Sequence, residues 1–295
     1  MKAKWPIIRF PLLYLLCLLS PILMAEPTSS KDQDVAYLAF TQGYWQLWVM
    51  NHDGVNHKQV THSHYDKSRV SWYTDGKYLL LNGNQGELVK VDVLTGKEIP
   101  IVLPLKGMND AVISPDGKQI LFSLSTSDSI DDNNIWLVNT DGNQLKKLTN
   151  MSYLQHEPVW APDGNSLYFL SGKGDQSHDI WRFDLKDKRQ EQLTVAQLYH
   201  FDIAVSPNGD LAFSSNRSGN YEIWIQGQNQ TAKQITAHPA LDARPTWSPD
   251  GTTLIFESTR NGHAGLWKIP VKGGAATLLT HHQDGARAPV WWYTQ

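Results

Sequence analysis

Charged side chains recur at one place in a repeating pattern. Arg69, Asp110, Glu157, Asp202 and Arg244 each stand three residues ahead of an apolar landmark: Trp72, Ile113, Trp160, Val205 and Trp247. Ala288 stands three ahead of Trp291, with Arg287 beside it. Neighbouring carboxylates can exchange a proton or hold a cation, and guanidinium groups grip carboxylates through paired hydrogen bonds. The three acids fall in consecutive repeats, and the bases fall in the repeats around them. Charges that only paired between neighbours would alternate in sign. This arrangement does not, which points to a ligand or ion that relieves repulsion among the acids. The candidate binding residues are therefore Arg69, Asp110, Glu157, Asp202, Arg244 and Arg287, with His156 and His200 beside the acids.

Other constellations are weaker. His62 and His64, and His281 and His282, supply imidazoles for a transition metal, yet adjacent residues of a strand face opposite sides. Asp128, Asp131 and Asp132 could hold calcium, but they lack the alternating ligands of an EF-hand loop and read as a solvated acidic loop. No cofactor is expected, with calcium or a transition metal as the alternative. No nucleophile elbow, phosphate-cradling glycine loop or His-Glu-x-x-His is present. The reading is thus a non-catalytic binding module. The alternatives are a metal-dependent propeller lyase or hydrolase with its site in a channel mouth, and a ligand-sensing propeller.

The elements that carry these charges follow from internal repetition. Ser114-Pro115-Asp116-Gly117 recurs as Ala161-Pro162-Asp163-Gly164, Ser206-Pro207-Asn208-Gly209 and Ser248-Pro249-Asp250-Gly251, with a weaker copy at Tyr73-Thr74-Asp75-Gly76. Pro, Asp and Gly in that order suit a tight turn between two strands. Each turn is followed by Ile135-Trp136, Ile180-Trp181, Ile223-Trp224 or Leu266-Trp267, and then by Leu148-Thr149, Leu193-Thr194, Ile235-Thr236 or Leu279-Thr280. Four strands per 41 to 47 residues is the size of a propeller blade. Val35 to Thr61 supplies three strands without a first, and Ala288 to Trp292 is a first strand without the rest. Together they complete a sixth blade. The predicted fold is an all-β, six-bladed propeller of four-stranded antiparallel blades over 35–295, closed by the C-terminal strand pairing with the N-terminal blade. The landmark tryptophans are read as packing between sheets, while Trp45 and Trp292 fall off the pattern and are free to be exposed.

The N-terminus has a different character. Lys2, Lys4 and Arg9 precede an apolar run from Leu12 to Ala25, too short to span a bilayer as a helix. This reads as a signal peptide over 1–25, followed by a short segment over 26–34. Cys17, the only cysteine, lies inside it, so the mature domain needs no disulfides. Loss of the leader removes three positive charges from a chain of formal net charge −3. The resulting acidity argues against nucleic-acid binding.

The string Pro-x-Trp-Ser-Pro-Asp-Gly, then a β-run, then Ser215-x-Arg217-x-Gly219 or Ser258-x-Arg260-x-Gly262, resembles the TolB-type propeller repeat. The resemblance covers Val35 to Trp292. It implies a periplasmic protein that binds another protein of the cell envelope, monomeric, without membrane insertion once the leader is removed. TolB-family proteins carry an α/β domain before the propeller, whereas only 26–34 precedes the first strand here. The expectation is a propeller alone, which does not inherit roles in cell division made through that domain.

Overall fold

The computed structural model describes residues 33–127, 129, 132–172, 177–195, 200–228 and 230–292. The signal-peptide reading, Cys17, Asp128 and Asp131 lie outside the described residues. The chain forms six four-stranded antiparallel sheets, each a blade with strands A to D from the channel outwards. Blade 4 runs Leu154–Trp160, Ser166–Gly172, His178–Asp184 and Gln190–Gln192 in that order. Blade 1 takes its strand A from Ala286–Trp291, which pairs with Val35–Thr41 ahead of Tyr44–Met50 and Lys58–Gln59. The C-terminal strand closes the ring. The strands A of blades 2, 3, 5 and 6 are Lys67–Trp72, Asn109–Ile113, His200–Val205 and Asp242–Trp247. Among the described residues, no helix is long and apolar enough to cross a membrane.

There is no single core. Six apolar clusters lie one between each pair of neighbouring blades. Alternation along a strand feeds both sides of a sheet. Ala36 and Leu38 of blade 1 pack towards blade 2, and Val35, Tyr37 and Ala39 pack towards blade 6.

Each landmark has a local cause. The Thr of the Leu-Thr step accepts the N–H of the residue before the strand-C tryptophan: Leu47 to Thr61, Ile135 to Thr149, Ile180 to Thr194 and Ile223 to Thr236 at 2.9 Å, and Leu266 to Thr280 at 3.0 Å. A buried amide is thereby satisfied just beyond the end of strand D. The Ser-x-Arg-x-Gly arginines lie over strand-C tryptophans, Arg217 over Trp224 at 4.7 Å and Arg260 over Trp267 at 4.8 Å. Arg260 also reaches the fully buried Asp242 at 2.7 Å. Two strand-A tryptophans bond across blades, Trp72 Nε1 donating to the Val290 carbonyl and Trp247 Nε1 to that of Ala204. The two off-pattern tryptophans are partly buried. Trp292 packs on Trp72, with ring centroids 6.3 Å apart, and Trp45 lies under Arg287.

The turn of blade 2 shows why its glycine is required. Gly76 has φ +64, and a Cβ there would come within 2.6 Å of the Trp292 ring. Gly43 has φ +87 with nothing within 4 Å. Gly76→Ala is therefore expected to destabilise by about 1–3 kcal/mol more than Gly43→Ala, the overpacking cost isolated from the backbone cost. Urea denaturation of both variants measures the difference, and equal losses would contradict the contact.

Candidate functional site

The aligned charges sit on a strained backbone. All six strands A carry a register shift at this level. In five of them the aligned residue is left-handed: Asp110 (φ 55), Glu157 (φ 50), Asp202 (φ 57), Arg244 (φ 49) and Ala288 (φ 51). Arg69 is the exception. A left-handed L-residue costs roughly 1–2 kcal/mol, and such strain persists only where the surroundings impose it. Pro158, Pro245 and Pro289 follow three of the five, which suits a bulge that offers no ladder bond.

The acids answer that strain. The Glu157 N–H donates to Asp110 Oδ2 (3.2 Å), the Asp202 N–H to Glu157 Oε2 (2.6 Å) and the Arg244 N–H to Asp202 Oδ2 (3.2 Å). Each carboxylate thus accepts the bulge amide of the next blade. Ser123 and Ser214 hydroxyls add bonds to Asp110 and Asp202. Arg244 ends the chain, reaching Glu257 Oε2 at 2.8 Å and Asp202 Oδ1 at 3.7 Å. Repulsion among the acids is therefore eased from within the ring by backbone amides, without calling on a ligand. Burial, then the Glu157 carboxylate, push Asp202 up to about 6. Burial alone would raise Glu157, but His156, Arg69 and the Asp202 N–H outweigh it and hold the carboxyl below its usual range.

The basic arc differs. Arg69 lines the central cavity of about 230 Å³ together with Asp202, Arg244 and Ala288. It makes no hydrogen bond or ion pair among the described residues. The Arg287 guanidinium lies 3.8 Å over the Trp45 ring and donates from Nη2 to the Lys67 carbonyl at 3.4 Å. Its Nε is buried without an acceptor among the described residues. The mouth thus has an internally satisfied acidic arc and a basic arc rich in unanswered donors. Glu257, Ser123 and Ser214 escape the sequence reading. Their signal is a polar residue inside an apolar strand B, as in Leu254-Ile255-Phe256-Glu257.

The histidines do not gather at the mouth as one group. His156 and His200 lie in strands A rather than in the connections before them. His156 Nδ1 is 3.5 Å from Glu157 Oε1, and its ring is 4.7 Å from that of His178. His282 turns to Tyr37, whose hydroxyl lies 3.0 Å from its Nε2 and 2.7 Å from His57 Nδ1. Asp132 is bonded to Thr126 and lies 3.7 Å from Lys147. Among the described residues, no group of three or more His, Cys, Asp and Glu is arranged to hold a metal ion.

His200 belongs to the interior. The residue two before the aligned charge is buried in every blade: Lys67, Met108, Gln155, His200, Asp242 and Ala286. His200 packs edge-on to Phe213 at 5.1 Å, and neither ring nitrogen has a hydrogen-bond partner among the described residues. Burial, then Arg217 and His178, push it down from 6.5 to about 4. The folded protein keeps it neutral while the unfolded chain takes up a proton. Stability is therefore lost as pH falls from 6.5 towards 4, by about 1.4 kcal/mol per pH unit at the steepest. Met108 fills the matching place in blade 3, so His200→Met is expected to fold and to lose less stability than wild type between pH 7 and 5. Urea midpoints at both values test this, and parallel losses would contradict it.

The comparisons agree with this architecture. An uncharacterised protein of Agrobacterium fabrum is 29% identical over 194 residues, 64% of each chain. The Tol-Pal system protein TolB of Francisella tularensis is 27% identical over 262 residues, 84% of this chain and 59% of the relative. The chain thus spans about six-tenths of the length of these relatives. The crystal structure of TolB from Acinetobacter baumannii superposes with a TM-score of 0.79 at 25% identity, covering 89% of this chain and 67% of that one. The family profile described as the TolB beta propeller domain matches residues 34–211 and 180–294, nearly the whole ring, and this chain belongs to that family.

Proposed function

We propose that this chain is a non-catalytic binding propeller of the cell envelope, located in the periplasm, that takes a protein partner at the charged channel mouth. The observation that carries the reading is the asymmetry of that mouth. Its acids are engaged in holding the ring, while Arg69 lines the cavity with no hydrogen-bond or ion-pair partner among the described residues. Unanswered donors at the rim of a concave site are what a partner of complementary chemistry would meet. The kinship with Tol-Pal system TolB proteins supports an envelope protein as that partner.

The test is a pull-down from envelope extract with the purified protein and its Arg69→Glu variant. Arg69 makes no hydrogen bond or ion pair within the ring but favours the Glu157 carboxylate electrostatically, so the variant is expected to fold and to melt modestly below wild type. The expected result is a partner held by wild type and weakened more than tenfold by the variant, about 1.4 kcal/mol. A partner that binds both proteins equally would move the site off the mouth.

A further inference from the structure

The chain of carboxylates around the mouth is incomplete, and its gap has a definite chemistry. In blades 4, 5 and 6 the left-handed bulge residue donates its N–H to the carboxylate of the preceding blade. The same backbone turn occurs at Ala288 in blade 1 and at Asp110 in blade 3. The residue that the repeat places before Ala288 is Arg244, and the one before Asp110 is Arg69. In both places a backbone donor is therefore matched with a guanidinium, which only donates. No side-chain acceptor serves either amide among the described residues. Arg244 is already engaged by Asp202 and Glu257. Arg69 makes no hydrogen bond or ion pair among the described residues, acting on Glu157 only through its charge, and it lines the same cavity as Ala288. The Arg287 Nε, also unanswered, stands beside Ala288.

We propose that the basic arc is a seat for a carboxylate borne by the partner, an acidic side chain or a chain end, gripped by the Arg69 guanidinium and by the bulge amide of Asp110 or Ala288, which no side chain serves among the described residues. This deepens the mouth reading and rests on it. The seat copies what the protein does for itself three times around the ring, an acid against a bulge amide. The incoming group would extend that chain into the blades that lack an acid of their own. Guanidinium and backbone N–H together suit a planar, two-oxygen anion better than a neutral amide or a hydroxyl.

The experiment is an amide NMR titration of the ¹⁵N-labelled protein at constant ionic strength. The probes are glutarate, its neutral twin glutaramide, and the blocked peptides acetyl-Gly-Glu-Gly-amide and acetyl-Gly-Gln-Gly-amide. Saturable shifts of the Ala288 or Asp110 amide are expected with glutarate and the Glu peptide, and none with glutaramide or the Gln peptide. Arg69→Gln should weaken binding at least tenfold while it still folds and melts cooperatively. Tighter binding of the Glu peptide than of glutarate supports a partner-borne group. Binding of glutarate with exclusion of the Glu peptide would overturn that source, leaving a free small carboxylate as the ligand. Equal response to the acid and amide probes, or wild-type affinity in Arg69→Gln, would overturn the seat itself. The two readings fail separately. A partner lost by Arg69→Glu with no amide shift leaves the mouth and removes the seat. Carboxylate binding with a partner indifferent to Arg69→Glu does the reverse.

Discussion

A chain ended at Asp284 is expected to aggregate or remain unfolded. It lacks Ala286–Trp291, which serves as strand A of blade 1 and rims the channel. Ala286 and Trp291 would leave the cluster between blades 6 and 1, while Ala288, Val290 and Trp292 would leave the one between blades 1 and 2. Trp72 would lose the Val290 carbonyl, and Phe40 the Gly285 carbonyl. Burying one large side chain contributes roughly 2–3 kcal/mol, and a whole domain is stable by only about 5–15 kcal/mol. Losing several such side chains at once removes most of that margin. The strand Val35–Thr41 would also become a free seven-residue edge with five fully buried residues bared, a template for pairing with other chains. Size-exclusion chromatography and thermal melting would report the outcome. A soluble monomer with an unchanged midpoint would contradict closure by this strand.

Glu157→Lys is expected to destabilise by about 3–5 kcal/mol, the scale of a broken buried charge contact. It deprives the Asp202 N–H of its acceptor and removes the carboxylate 3.5 Å from His156 Nδ1. It also adds a cation to a mouth already holding Arg69 and Arg244. Glu157→Gln keeps a carbonyl oxygen for the same amide and should stay within about 1.5 kcal/mol of wild type. The pair separates the loss of an acceptor from the loss of a charge. A Lys variant as stable as wild type would mean that the carboxylate does not hold the ring.

Much of this architecture is legible in the sequence because each blade repeats its own turn chemistry. The Pro-Asp-Gly turns, the strand-C tryptophans and the Leu-Thr steps are local signals at regular spacing. The orphan strand at Ala288 to Trp292 tells how the ring closes. The hydrogen bonds of the mouth are not legible, since they run between blades. Asp110, Glu157 and Asp202 read as three like charges in adjacent repeats, an arrangement that points to an outside ligand or ion. Nothing in their identity announces a left-handed bulge, because that conformation is imposed by the register shift with strand B. Their partners are the next blade's backbone amides, which carry no residue type to align. His200 fails for a related reason. Its distance from Asp202 places it near the mouth, while strand alternation turns it onto Phe213 in the interior. Trp45 and Trp292 look free because they miss the landmarks, yet Arg287 of its own blade covers Trp45 and Trp292 packs on Trp72 of blade 2.

The most direct test of the mouth as the working surface is photocrosslinking in intact cells from two exposed positions. Ser68 lies on the rim of the channel beside Arg69, and Asn208 lies in the turn between strands A and B of blade 5, at the opposite end. With a benzoylphenylalanine at each in turn, an envelope protein is expected to crosslink from position 68 and not from position 208, and the crosslink should fade when Arg69→Glu is added. Crosslinks arising only from position 208, or persisting undiminished with Arg69→Glu, would contradict the mouth as the site of binding.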